Sequence, residues 1–332
     1  MDITASAQHG LIAGESIPGR IHFSPGGVAR NAAENLARLG NATRLIAVVG
    51  RDRQGRELIA ATRKAGVDTR ACLALPGYRT ACYLSLHGPD GEMALAVNDM
   101  DSLQALTPAR LVAQRPRLRH AAALLLDCNL SNELLDWVFS QESGAPIFVD
   151  GVSAFKVLRL KPWLTRIHTL KVNRAEASAL TGRRIESLAQ ARAVAAWFVR
   201  QGVKQVALSL GRKGICWHDA QGDHGLAVAT VATVAPVVNA TGAGDALLAG
   251  LLHAYLAGDR LAQAIEFASA CAAMTLSSPA ANHPGLSEAA VRQWMGKPEH
   301  PSTGISDGQG SRSSRKPRST TPSIGKAAKS AP

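Results

Sequence analysis

The sequence predicts an α/β fold with a mostly parallel sheet covered by helices on both faces. Three observations predict it. Five apolar runs, 43–50, 121–126, 146–150, 168–172 and 205–210, have the length and near-continuous hydrophobicity of strands buried on both sides. Helical stretches alternate with them, including 54–65, 132–140, 174–180 and 188–201, as crossovers between parallel strands require. Two alternating runs, 81–87 and 92–98, flank Gly88-Pro89-Asp90-Gly91 and predict a hairpin with little helix nearby to pack on.

Taken in order, the first motif is Ser24-Pro25-Gly26-Gly27-Val28-Ala29-Arg30-Asn31. Ala33, Leu36 and Leu39 follow at helical spacing and Gly40 is a C-terminal stop, so a helix opens just after the paired glycines. Arg30 and Asn31 in its first turn face whatever sits over that end; a plain glycine-rich connection is the other reading. The strands and helices of the sheet follow, with the hairpin between the first and second strands.

The second motif, Asn239-Ala240-Thr241-Gly242-Ala243-Gly244-Asp245, runs straight into the apolar stretch 246–252. Glycines allow a tight turn that brings backbone N–H groups close to an anion, and the helix behind presents its positive end to the same place. A carboxylate beside a phosphate cradle is repelled unless it has chemistry to perform. Asp245 is placed to take a proton from a hydroxyl attacking phosphorus, although Asp is also a good helix cap. A dinucleotide-binding turn fits poorly, because Leu247 stands where a small residue is needed and no acidic residue ends a following strand.

Composition excludes several classes. No apolar run is long enough to cross a bilayer, and the N-terminus lacks the basic and apolar segments of a secretory signal. Five scattered cysteines without a CxxC pair read as buried small hydrophobes in a reducing cytoplasm. The net charge is +12, but six positive charges lie past Ser302 against Asp307 alone, leaving +7 on the rest. Such an excess suits a polyanionic nucleotide; a specific nucleic-acid partner is not expected, and the histidines show no metal spacing. From Pro301 onward Ser, Gly, Pro, Lys and Arg dominate, so 301–332 is expected to be a disordered basic tail beside one domain, 1–296.

Together, Gly26-Gly27 with Asn31 and the distant Thr241–Asp245 stretch resemble the two signatures of the PfkB (ribokinase-like) sugar and nucleoside kinases. The resemblance runs in the family's order over about residues 1–295. It includes Asn173-Arg174-Ala175-Glu176, similar to an Asn-x-x-Glu element, and Leu208-Ser209-Leu210-Gly211, similar to a nucleotide-binding strand end. Pro18–Val28, Ala96–Met100, Asp127–Ser131, Ile167–Lys171 and the Asn at 239 look like the branch that phosphorylates pseudouridine.

The resemblance implies a ribokinase-like three-layer sandwich with a small β lid, drawn from about 12–26 and 78–100, that closes over the sugar on the Gly26-Gly27 hinge. It implies ATP and Mg²⁺, with phosphotransfer to a ribose 5′-hydroxyl. Asp245 is the expected base, and Thr241, Gly242, Ala243 and Gly244 form the anion hole. Asp2, Gly26, Gly27, Asn31, Asn98, Asp99 and Asn129 contact the nucleoside. Lys171, Asn173, Ser209 and Gly211 border the nucleotide, and Glu176 positions Mg²⁺ through water. Lys171 as a solvated strand-end charge, Glu176 as a first-turn carboxylate, Asn129 as a turn residue and Asn98-Asp99 as a polar turn stay open. A kinase for ribose or an adenosine-like nucleoside, a non-catalytic nucleoside binder, and a homodimer through the lid are further readings. A neutral Asn239 leaves monovalent-cation dependence open. Family members place a strand directly before the counterpart of Asp2; none precedes it here, which suggests a truncated chain or a start inside the reading frame. Losing such a strand costs on the order of 6–12 kcal/mol.

Overall fold

Four strands, β7 (Leu124–Asp127), β8 (Ile147–Asp150), β9 (Thr169–Asn173) and β10 (Gln205–Ser209), lie side by side and parallel, and together they form the centre of the molecule. β11 (Ile215–Asp219) and β12 (His224–Ala227) extend the sheet antiparallel to the order β12-β11-β10-β9-β8-β7. The structure is a computed structural model and describes residues 1–141, 143–227 and 240–296. Asn239 and the predicted tail 301–332 lie outside the described residues.

The period of two sorts the strand side chains into two layers. Val149, Leu170, Val172, Val206 and Leu208 pack on α5 (Asn132–Phe139), α6 (Arg174–Thr181) and α7 (Leu188–Arg200). Phe148, Ala207 and Ile215 face the other way, against α1 (Val28–Arg38), α8 (Ala243–Leu256), α9 (Leu261–Leu276) and α10 (Glu288–Met295). The result is a helix–sheet–helix sandwich, as the alternation predicts.

The helices start where side chains can satisfy their first N–H groups. Ser131 accepts from Leu134 N, and Asn173 with Glu176 and Ser187 with Gln190 form reciprocal caps. α8 and α9 are apolar almost all round because neither reaches solvent over most of its length. They pack on each other at Gly250, where a side chain would collide with the Ala268 backbone.

A second sheet stands apart, in the order β2-β1-β5-β6: β1 (Asp2–Ala7), β2 (Gly19–Ser24), β5 (Cys82–His87) and β6 (Met93–Asp99). The hairpin predicted at 81–98 is its β5–β6 pair. The lid segments expected at 12–26 and 78–100 left out Asp2–Ala7, which is an inner strand of this sheet. Its period-two alternation (Asp, Thr and Ser against Ile and Ala) was the available signal.

The predicted strand 43–50 is reduced to β3 (Val48–Gly50), which among the described residues pairs only with β4 (Leu73–Leu75); residue 44 adds one bridge to Asp68. The physical reason lies on its other side. Between residues 43–46 and β7 is a cavity of about 650 Å³, lined by apolar residues including Leu45, Ile46, Leu124, Leu126, Leu134 and Leu252. No ladder joins β7 to β3 across it, so 43–47 lack the partner that would complete a strand.

Candidate active site

The four parallel strands end on one edge, and their last residues carry the polar chemistry. Register sets Asp127 beside Asp150 and Asp150 beside Lys171, so the three side chains share the face toward α1 and α8. The Asp127 carboxyl accepts from Ala29 N at 3.0 Å and Asn129 N at 2.8 Å, and burial pushes its pKa up. Asp150 is 2% exposed and receives Lys171 Nζ at 2.9 Å. Burial opposes the Lys171 charge, but Asp150 and Glu176 outweigh it and hold the ammonium protonated. The alternative of a solvated Lys171 is excluded by its 7% exposure.

Asp245 sits in the first turn of α8, above this row. Gly242 precedes it at φ 83°, a left-handed conformation, with its Cα so close to Ala281 O that a Cβ would lie at 1.9 Å. The turn therefore leaves the first N–H groups of α8, from Ala243 onward, without intrahelical acceptors. Lys171 Nζ reaches the same place, 2.6 Å from where a Cβ on Gly244 would be. The Asp245 side chain caps nothing; Oδ2 accepts from Asn31 Nδ2 at 2.8 Å. Burial, then the neighbouring Asp150, raise its pKa to about 7 against the hydrogen bond from Asn31, the charge of Lys171 and with a further push from Asp127. A carboxylate titrating near neutrality beside an ammonium and a helix N-terminus can accept a proton and leave an anion stabilised.

Asn173 ends β9 and caps α6. Glu176 is 1% exposed, with Oε2 accepting from Asn173 N at 2.8 Å and Oε1 from Asn173 Nδ2 at 2.6 Å. Its first-turn carboxylate role is thus realised, while burial raises its pKa against the pull of Lys171. Ser209 ends β10 beside Asn173, and Gly211 follows at φ 63°. Asn173, Ser209 and Gly211 line an open cleft of about 660 Å³ with Arg174, Arg184 and Glu186.

On the opposite side, Gly27 opens α1 at φ 103°, and Gly26 lies so close to the Asp2 carboxylate that a Cβ would meet it at 2.1 Å. Asn31 is 3% exposed and joins this side to Asp245. Pairing puts Ser24, Asp2, Tyr83 and Asn98 in one row across the small sheet, on one face. Asp99 falls on the other face, and its Oδ1 accepts from Asp101 N, so the expected Asn98-Asp99 pair is split by the strand period. Asn129 follows β7, and its Oδ1 accepts from Lys156 Nζ at 2.6 Å.

Asp127 and Asp150 were missed as site residues. Their signal is Leu-Leu-Leu-Asp and Ile-Phe-Val-Asp, carboxylates ending buried parallel strands. Lys156, brought in by a 3-10 segment, has no comparable signal. Among the described residues no group of three His, Cys, Asp or Glu is arranged to hold a metal, and no helix is long and apolar enough to cross a membrane. A magnesium ion that travels with nucleotide phosphates and keeps its water needs no such cage; the buried carboxylates Glu176 and Asp150 are electrostatic neighbours at these strand ends and fit such an ion's water.

Residues 6–289 match the profile described as pfkB family carbohydrate kinase. The chain is 40% identical over 291 residues to a pseudouridine kinase of Escherichia coli (strain K12), covering 88% of this chain and 92% of that protein. It is also 40% identical over 287 residues to the uncharacterized sugar kinase YeiI of the same organism, covering 86% and 78%. The solved structure of Arabidopsis thaliana ribokinase complexed with ribose and ATP superposes with a TM-score of 0.78 at 22% identity, covering 89% of this chain and 95% of that one.

Proposed function

This chain belongs to the pfkB family of carbohydrate kinases, with a ribokinase-like fold, and from that premise we propose that it transfers the γ-phosphoryl group of ATP to the ribose 5′-hydroxyl of pseudouridine. It is a phosphotransferase acting on an alcohol group. The observation that carries the phosphotransfer is Asp245, buried at the head of α8 between Asn31 and the Asp150–Lys171 pair, while pseudouridine as the acceptor is supported by the 40% identity to a pseudouridine kinase.

In this reading Asp245 takes the O5′ proton as O5′ bonds to the γ-phosphorus. The bond to the β-phosphate oxygen breaks, ADP leaves, and the proton stays on the Asp245 carboxyl until it exchanges with solvent. The transition state is loose, so placement and charge neutralisation contribute more than basicity. The backbone N–H groups of the turn from Thr241 to Gly244, which leads into α8, and the Lys171 ammonium face the growing charge. Glu176 and Asp150 would hold the water of a magnesium ion bound with the nucleotide, which would supply neutralisation of the phosphate charge. Asn173, Ser209 and Gly211 border the nucleotide, where the open cleft lies. Asp2, Gly26, Gly27, Asn31 and Asn129 hold the ribose, and Asn98 on the inner lid face reads the base.

The lid's other face supports a homodimer. Ile21, Phe23, Leu95 and Val97 lie on it with exposures of 67, 58, 59 and 56%. The described cysteines are all free, three of them buried, which supports a reducing, cytoplasmic setting. The equal identity to a sugar kinase favours one second reading, in which the acceptor is another nucleoside or a free sugar. An ATP-coupled assay with pseudouridine, uridine and ribose decides between them. Preference for pseudouridine with a 5′-phosphate product supports the first reading; preference for ribose rejects it.

A further inference from the structure

Asn31 reaches Asp245 as the last member of a buried polar chain that begins in the segment after α9. Asn282 is 7% exposed. Its Oδ1 accepts from Arg30 Nη2 at 2.6 Å, and its Nδ2 donates to Asn31 O at 2.8 Å and Asn35 Oδ1 at 2.9 Å. Arg30 is 5% exposed. Its guanidinium donates to Glu34 Oε2 at 2.6 Å, to Gly26 O at 3.1 Å, to Pro25 O at 3.2 Å and to Asn31 Oδ1.

The consequence is chemical. An asparagine amide has an acceptor end and a donor end, and a half-turn exchanges them. Arg30 carries only donors, so it holds the Asn31 oxygen toward itself and leaves the NH₂ group for Asp245. Flipped, the oxygen would face a carboxylate with no donor between them. Asn282 fixes the guanidinium on one side and the Asn31 backbone on the other. Arg30 is also tied to the carbonyls of Pro25 and Gly26, at the hinge that leads into the lid.

We propose that Asn282 and Arg30 are positioning residues for Asp245, acting by locking the Asn31 amide with its donor end on the carboxylate and by tying that lock to the Gly26–Gly27 hinge. This rests on the phosphotransfer reading for its catalytic meaning but not for its geometry. The other groups that face Asp245 are Asp150 on β8, Lys171 on β9 and Asp127 on β7, and none of them touches Asn282. Removing Asn282 therefore isolates the amide.

The test uses the full chain with Asn282→Leu, which keeps the side-chain branching but removes its polar atoms, Asn282→Asp, which keeps an acceptor for Arg30, and Arg30→Lys, in case the leucine variant does not fold. Asp245 is titrated by carboxyl carbon NMR in the ligand-free protein, and kcat and KM are followed against pH. In Asn282→Leu the Asp245 titration is expected to move up by about one unit and kcat to fall about tenfold, with nucleoside KM little changed. Asn282→Asp is expected to recover part of both. A folded Asn282→Leu or Arg30→Lys protein whose Asp245 titrates as in the parent overturns the proposal. A shifted titration in a protein that phosphorylates no acceptor supports the lock and rejects the kinase reading instead, so the two failures are distinguishable.

Discussion

Asp245 departs from the ordinary chemistry of its side chain, and Val152 from the ordinary geometry of its backbone. Asp245 is a carboxylate kept near neutrality by burial and by Asp150, while Asn31 holds it in place. Asp245→Asn keeps the shape of the side chain and removes its ability to take a proton. We expect kcat lower by about 10²–10⁴-fold with little change in stability at acid pH, measured by coupled assay and thermal melts. Near-parental turnover would remove the base assignment. Val152 has φ 63°, a conformation rarely adopted by a β-branched residue, two positions after Asp150, whose Oδ1 accepts from Val152 N at 2.8 Å. That hydrogen bond fixes the Asp150 carboxyl to the turn that follows β8, at the cost of the strain at Val152. Val152→Gly should relieve it and raise stability by about 1 kcal/mol, read from urea unfolding. A destabilised variant would mean the isopropyl group packs well enough to offset the backbone strain.

At the scale of elements, the small sheet is the informative one. One of its faces carries Asp2, Thr4, Ser24, Tyr83 and Asn98; the other carries Ile3, Ile21, Phe23, Leu84, Leu95 and Val97. A sheet needs something on its apolar face, and the described residues supply nothing that covers Ile21 or Leu95. A second copy presenting the same face would bury both. Ile21→Lys with Leu95→Glu should shift a dimer to monomer in analytical ultracentrifugation and raise the KM for the nucleoside, because the lid then loses its support. A parental protein that is monomeric at micromolar concentration would sink this assembly.

At the scale of the whole molecule, the buried carboxyls set the pH response. In Asp245 the folded-state pKa is raised from 3.8 to about 7, so the neutral form is favoured by folding. That contribution is complete below the unfolded value and is lost as pH rises through about 7. Burial raises Asp127, Glu176 and Asp2 in the same sense. His168, His253 and His283 are lowered by burial, so they act oppositely, losing stability as pH falls below 6.5. The ligand-free protein should therefore lose the Asp245 contribution to thermal stability as pH rises from about 4 to about 7, with the histidines opposing it below 6.5. Asp245→Asn should flatten that decline, as scanning calorimetry would reveal; an unchanged slope would place the titration elsewhere.

Local patterning carried the layers. Alternation of apolar runs with helical stretches gave the sandwich, because burial on both faces writes itself into the composition of each strand. Glycine pairs before helices gave the two turns, because only certain backbones allow that approach. Asp245 and Asn31, which follow those glycines, were legible for the same reason, whereas Lys171 entered only through the family resemblance. Relations between distant segments were not. Asp127 and Asp150 became partners of Asp245 only through strand register, and Asn282 met Arg30 across 252 positions. The strand at 43–50 was shortened by a missing neighbour, not by its own residues. Sequence by itself determined what each segment would bury and where its chain would turn. Only the tertiary structure decided which buried charges share one low-dielectric space, and that sharing is what moves a carboxylate to the pH where it can act as a base.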